Sequence, residues 1–354
     1  MVFYVVVSSA LMALALYAQR RPELSLFLFR LCLPIIFVIA AWRFDVGCDY
    51  FTYIYHFDIQ TPHAFADTLP TLDIGYWLLV DAASVLGLPQ TSVTVVLTAI
   101  FFIGLYRLAK TQPAPMTILA IMFPILIFSI PMSAVRQAAA MGFIMLALVS
   151  FTKGQLIRYC LLVGAGFLFH SSAAIFLLIA PFIRFRINIL NVLLLLPVVA
   201  FIALQLSSLE AAEIAADRYI NTQRNDAQGA TLRTLLLAIT GTVFFLLISG
   251  HWRRNSPRDY DLVRLGAGVM IALFPLAFFI PTVADRVGYY FIAIQALTFA
   301  KLHYIRVPGA SLILAGLLFG LLLFFIVWWQ LSWQLPQCYE PYQNVALRAL
   351  LGQD

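Results

Sequence analysis

The sequence predicts an all-α polytopic membrane protein, one transmembrane domain over residues 1–354 with about 12 transmembrane helices plus a short re-entrant or half-helix segment. Three observations carry this. Of the 354 residues, 63% are hydrophobic and 11% charged, whereas a soluble domain carries roughly 25% charged residues. Apolar runs recur from end to end and leave no stretch for a soluble domain. Each run is closer to helix length than to the alternating ten-residue strands of a barrel.

In chain order, the expected spans are 2–18, 24–42, 91–109, 116–131, 135–152, 157–169, 171–183, 189–207, 232–250, 262–281, 287–305 and 309–333. The first run has no basic region ahead of it and no small-residue cleavage site, so it reads as a retained first helix. The segment 74–88 is shorter, contains Asp81 and ends at Pro89. Such a half-helix is tolerated where it lines a cavity rather than lipid.

Charge sets the expected orientation. With these spans, one side receives 14 basic residues, from Arg20/Arg21 to Lys301/Arg306, against Glu23, Asp259 and Asp261. The other receives seven arginines and thirteen acids, with Arg30 inside the second helix. Basic short loops mark the cytoplasm. The basic loop 251–261 is then cytoplasmic, and three hydrophilic pieces lie outside. These are a first outer loop 43–73, a second outer loop 208–231 whose first half reads as an amphipathic surface helix, and the C-terminal tail 334–354. The 74–88 segment must stay on the outer side, because a full crossing there would reverse every later loop.

The candidate site residues gather at that outer face. The stretch Trp42–Phe57 carries Arg43, Asp45 and Asp49, costly at membrane depth unless paired or wet. Its Gly47 permits a turn, and Tyr50 and Tyr53 offer flat faces with hydroxyls. Arg136 and Gln137 open a span after the break at 130–134, where a helix N-terminus already favours anions. His170 stands between two short apolar segments beside Ser171 and Ser172. Asp285 and Arg286 begin another span, followed by Tyr289 and Tyr290, and the tail adds Tyr339, Glu340 and Tyr342. Each has a plain structural alternative: an aromatic belt with loop charges, an Arg286–Asp285 pair, a snorkelling Arg136, a hydrogen-bonded histidine. Arginines with a histidine and carboxylates on one face suit a phosphorylated ligand plus a group to be deprotonated.

Soluble-enzyme motifs are absent: no GxxxxGK[ST] loop, no GxSxG elbow, no HExxH. The five histidines are not ligand-spaced, so no metal and no cofactor are expected. Only Cys48 and Cys338 fall on the outer side. A disulfide tying tail to first loop is geometrically open, though pairing is not readable from sequence.

Several segments in this order resemble the EpsG family of bacterial exopolysaccharide polymerases, a branch of the Wzy-type polymerases. They are RFDVGCDYFTY (Arg43–Tyr53), LDIGYWLL (Leu72–Leu79), VRQAAA (Val135–Ala140) and FHSSAAIF (Phe169–Phe176). DRVGYYF (Asp285–Phe291) and the tail YEPYQN (Tyr339–Asn344) match more weakly. The family usually shows a Thr-like residue where Cys48 stands and Glu where Asp73 stands, and the shorter acid reaches less far. The resemblance implies a GT-C-like, metal-independent glycosyltransferase. Such an enzyme moves a glycan from undecaprenyl pyrophosphate onto a sugar hydroxyl of the next lipid-linked repeat unit, at the periplasmic or exterior face of the bacterial inner membrane. Its implied partners are the lipid-linked donor and acceptor and the bilayer, with flippase and chain-length regulator proteins as candidates and no nucleic acid.

Residue chemistry assigns roles within that frame. Arg136 and Arg286 would stabilise charge on the leaving pyrophosphate. Asp49 is the first candidate for the base, His170 the second and Asp73 a distant third. Arg43 would pair with Asp49 or grip a phosphate or acidic sugar, and Tyr50, Tyr53 and Tyr76 would stack on sugar rings. Gln137, Tyr290 and Tyr342 complete the substrate-contacting set. Three competing functions remain: an O-antigen ligase, which predicts a large outer-loop domain; a lipid-linked oligosaccharide transporter, which needs polar residues down a central path; and a membrane acyltransferase centred on His170.

Overall fold

The structure is a computed structural model and describes residues 1–60, 73–185, 191, 229–345 and 348. Among these residues it is helical throughout, with one isolated bridge between Arg43 and Asn344. Helices α1 (Val2–Ala18), α2 (Pro22–Ala41), α3 (Tyr50–Gln60), α4 (Ile74–Val85), α5 (Gln90–Ala109) and α6 (Pro115–Ile127) form the first half. Then follow α7 (Val135–Thr152), α8 (Leu156–Phe167) and a 3₁₀ helix at Ser171–Ile183. From residue 230 onward come α9 (Ala230–Asn255), α10 (Pro257–Leu276), α11 (Pro281–Ala300), α12 (Ala310–Leu331) and the short α13 (Gln334–Tyr339). The expected span 189–207 and all but the last residues of the second outer loop lie outside the described residues.

Among the described residues, five helices are long and apolar enough to cross a membrane: α2, α5, α7, α9 and α12. Helix length and composition alone therefore do not reach the expected count of about twelve. For the short helices the physical reason is reach; α10 and α11, 20 residues each, are long enough but open on charged residues. At 1.5 Å per residue, the 12-residue α8 covers about 18 Å, against about 30 Å of hydrocarbon. The segment 171–183 is 3₁₀ rather than α-helical, and a rise of about 2 Å per residue stretches its 13 residues to about 26 Å.

The centre of the bundle is α6, every residue of which is buried, flanked by α7 and the buried run Val287–Ala300 of α11. Pro124 lies in a π-helical turn at Phe123–Ile127, where its missing N–H fits a widened ladder. Outer helices expose large apolar side chains such as Phe27, Leu31, Leu312 and Phe319, as lipid contact requires.

Helices α5 and α7 run side by side in the same direction. Val93 and Leu97 pack with Val135 and Ala139, Gly104 meets Gly142, and Leu108 lies with Leu148. A Cβ on either glycine would collide with the backbone of the other helix, so the two small residues permit this approach. Helix α4 packs on the first part of α5 through Tyr76, Val80 and Ala83, and its Gly75 N–H donates to Leu168 O at the end of α8 (2.7 Å). The chain thus enters α4 and enters α5 at the same end of the bundle.

Candidate active site

Helix ends converge at one end of the bundle around a cavity of about 310 Å³. The loop after α2 supplies Asp49, α3 supplies Tyr53, and the start of α7 supplies Arg136 and Gln137. The break between α8 and the 3₁₀ helix supplies His170, the start of α9 Arg233, and the start of α11 Asp285, Arg286 and Tyr289. Trp328 of α12 and Tyr339 of α13 complete the wall.

Asp49 is half-buried and its carboxylate accepts from the Ser133 hydroxyl at 3.3 Å; its own N–H donates to Ser133 Oγ at 3.2 Å. Arg136 is held from behind. Its Nη1 donates to Asp73 Oδ2 at 3.0 Å, and its guanidinium lies 5.3 Å from the Tyr76 ring centre and 5.8 Å from that of Tyr53. A carboxylate on one edge and two neighbouring rings hold the fork while Arg136 still lines the cavity.

His170 is 7% exposed and sits next to a cation. Its Nε2 lies 3.4 Å from Arg286 Nη1, while Nδ1 lies 2.7 Å from Ser172 Oγ, which in turn meets Tyr290 Oη at 3.1 Å. Arginine only donates, so Nε2 faces it with a lone pair and the ring is neutral. Burial, then Arg286 and Arg136, push the imidazole down to about 3. A group so acidic is a weak base at neutral pH, which favours Asp49 for proton acceptance. Gln137 Nε2 donates to the backbone carbonyl of Arg286 at 2.8 Å, tying α7 to α11 at the mouth. Tyr339 is buried, and burial, with Tyr289 and Asp49 nearby, keeps its hydroxyl protonated, donating to Phe128 O at 3.3 Å.

Six of the twelve expected site residues line the cavity: Asp49, Tyr53, Arg136, Gln137, His170 and Arg286. The other six stand behind it. Arg43 neither pairs with Asp49 nor faces a ligand: at 3% exposure, its guanidinium donates to the carbonyls of Ala40, Val46 and Pro131. Asp73 holds Arg136, and Tyr76 is buried beneath that guanidinium. Tyr290 is buried, and its hydroxyl meets Ser172 Oγ, the partner of His170 Nδ1. Tyr342 stacks on Phe3 (4.3 Å) and donates to Ile39 O. Tyr50 packs edge-on to Phe44 and Phe51.

Arg233 was not expected here. Its Nε and Nη2 grip both oxygens of Asp285 at 2.7 and 2.8 Å, and its plane lies over Trp328 (4.8 Å) and Tyr289 (5.4 Å). Asp285 therefore serves Arg233 rather than its neighbour Arg286. The signal was present: Arg233, like Arg136, stands one residue inside the outer end of an expected span. Ser133 and Trp328 gave none, the first lying in a break and the second in an unbroken apolar run.

Cys48 and Cys338 form a disulfide with Cα atoms 4.8 Å apart, so the tail is bonded to the residue before Asp49. Among the described residues, no group of three or more His, Cys, Asp or Glu could hold a metal. The cavity instead offers fixed cations, protonated hydroxyls and one lightly tied carboxylate. Such a set can hold an oxyanionic leaving group and deprotonate a hydroxyl.

The family model for the EpsG family matches residues 26–344, nearly the whole chain. No curated protein and no solved structure matches.

Proposed function

Because the chain belongs to the EpsG family, we propose that this membrane protein is a polysaccharide polymerase that transfers a growing glycan from undecaprenyl pyrophosphate to a sugar hydroxyl of the next lipid-linked repeat unit. The observation that carries the reading is the pairing, in one cavity, of Asp49 with Arg136 and Arg286.

Transfer breaks the bond between the sugar's anomeric carbon and the pyrophosphate oxygen and forms one to the acceptor oxygen. The acceptor proton goes to Asp49, whose carboxylate accepts a single hydrogen bond among the described residues, from the Ser133 hydroxyl at 3.3 Å. A positioned base is worth about 10²–10⁴ in rate. The pyrophosphate departs as an anion and needs cations rather than a protonating acid. Arg136, preset by Asp73, and Arg286, beside His170, supply that charge, and preorganised donors of this kind contribute about 10²–10³. Drawing Arg286 to the phosphates would leave the His170 ring in place to orient them. Arg233, already occupied by Asp285, shapes the wall with Tyr289 and Trp328, an aromatic surface suited to sugar rings. This reading places no metal in the reaction, and it puts the cavity on the outer face because the basic loops lie at the other helix ends.

The test is polymerisation in vitro. Purified protein is incubated with a lipid-pyrophosphate-linked repeat unit, with and without EDTA, and product length is read on a gel. A ladder that survives EDTA is the expected result. Glycan moved only onto a different added acceptor would point to a ligase, and substrate crossing a liposome bilayer without transfer would point to a transporter.

A further inference from the structure

Asp49 does not sit on a helix. It ends the loop between α2 and α3, a loop whose backbone is left-handed at Asp45 (φ 52°) and Gly47 (φ 106°). Chains do not adopt such a course by default, and a Cβ on Gly47 would collide with the Met132 carbonyl. Something outside the loop must hold it.

Three sets of ties do so. From beneath, the buried Arg43 guanidinium donates from Nε to Val46 O (2.8 Å) and from Nη1 to Ala40 O (3.0 Å) and Pro131 O (3.1 Å). One side chain thereby joins the end of α2, the loop itself and the turn before α7. From the side, the tail lies along the loop. Phe44 N–H donates to Gln343 O (3.0 Å), Gly47 N–H to Cys338 O (2.6 Å) and Val345 N–H to Trp42 O (2.7 Å), and Cys48 is bonded to Cys338. From the far side, Ser133 takes the Asp49 N–H. The tail is itself anchored: Tyr339 donates to Phe128 O, Tyr4 donates to Tyr339 O, and Glu340 pairs with the N-terminal ammonium.

Resting on the polymerase reading, in which Asp49 takes the acceptor proton, we propose that Arg43 and the Cys48–Cys338 bond position Asp49. The C-terminal segment 338–345 is then a working wall of the site. Two features separate this from stability alone. The ties converge on the residues next to Asp49, whereas the arginines for the pyrophosphate stand on α7 and α11. Cys48 also lines the cavity, so a small thiol reaches the bond in the folded protein. Lysine cannot reproduce the Arg43 contacts, because a single ammonium cannot reach three carbonyls set around a planar fork.

The experiment is steady-state kinetics on the full-length protein with a lipid-pyrophosphate-linked repeat unit. It compares wild type, Arg43→Lys, a Cys48→Ser/Cys338→Ser double variant, Asp49→Asn, and wild type reduced with dithiothreitol and then reoxidised. Misplacing a catalytic group by about 1 Å costs on the order of 10² in rate. The expected result is a kcat about ten- to a hundredfold lower in the reduced, double-serine and Arg43→Lys proteins, with KM for the donor within about twofold of wild type. Reoxidation restores wild type, and dithiothreitol leaves the double variant unchanged. If Asp49→Asn is inactive while reduced wild type keeps its kcat, the positioning inference fails alone. A loss confined to KM, or to the amount of folded protein, also overturns it. If Asp49→Asn keeps wild-type kcat, the underlying reading fails and the inference with it. Should Arg43→Lys not fold, the reduced wild type and the double variant decide the matter.

Discussion

His170 shows how a residue's surroundings set its chemistry. Placed between Arg286 and Arg136 and buried, its imidazole is held near 3, against about 6.5 in an unfolded chain. The unfolded state therefore takes up a proton first as pH falls. Stability from this group is complete above pH 6.5 and is lost progressively from pH 6.5 down to about 3, at no more than about 1.4 kcal/mol per pH unit. Thermal unfolding in detergent as a function of pH measures it. His170→Asn should flatten the slope between pH 6.5 and 4 relative to wild type, and an unchanged slope would mean that His170 is not buried beside those cations. Residue types and their place at helix ends were legible in the sequence, and so six site residues were. Direction was not. Arg43 faces carbonyls of the turn behind the cavity, Tyr342 faces α2, and Tyr290 faces Ser172, because side-chain orientation follows from packing among elements far apart in sequence. Arg233 carried the same signal as Arg136, one residue inside an expected span, but it follows the polar stretch 208–231, where an arginine calls for no explanation.

At the scale of elements, hydrophobic runs gave most described helix positions within a few residues, since apolar length is the strongest signal a membrane chain carries. Helices α10 and α11 start five and six residues earlier than expected, and the aromatic-rich α3 lies where a loop was expected. They did not give helix type. The 171–183 run is 3₁₀, and Phe123–Ile127 and Phe244–Ile248 are π-helical turns, differences that arise from prolines and neighbours rather than from hydropathy. The close contact of α5 with α7 was also invisible until Gly104 and Gly142 were seen facing one another. It yields a sharp expectation. Gly142→Leu would force the two backbones apart, costing about 1–3 kcal/mol as overpacking does, and would lower the detergent melting temperature. Gly164→Leu, where an added side chain meets open space, should leave the melting temperature near wild type. Equal effects at the two positions would refute the packing argument.

At the scale of the whole molecule, two ends can be told apart. One gathers Asp49, Arg136, His170, Arg233 and Arg286 around the cavity. The other gathers the Lys301–Asp259 pair, Asn255 against Ile305 O, and His303 against Gln19. The charge count along the sequence separated the same two sets of residues. We expect the cavity end to face outward. With Cys32 and Cys160 replaced by serine, a cysteine at exposed Asp45 should react with a membrane-impermeant maleimide on intact cells, and one at exposed Arg254 should react only after permeabilisation. The reverse pattern would invert the orientation. What the sequence could not supply at this scale is the meeting of tail and first loop, a contact 290 residues apart that depends on every helix between. The central claim is that this assembled cavity couples loss of lipid pyrophosphate to growth of the glycan. The most direct measurement counts both products in one reaction: undecaprenyl pyrophosphate released and repeat units added, for wild type and Asp49→Asn. The account predicts one pyrophosphate per unit added in wild type, with both falling together by about 10²–10⁴ in the variant. Chain growth without matching pyrophosphate release, or full-rate growth in Asp49→Asn, would contradict it.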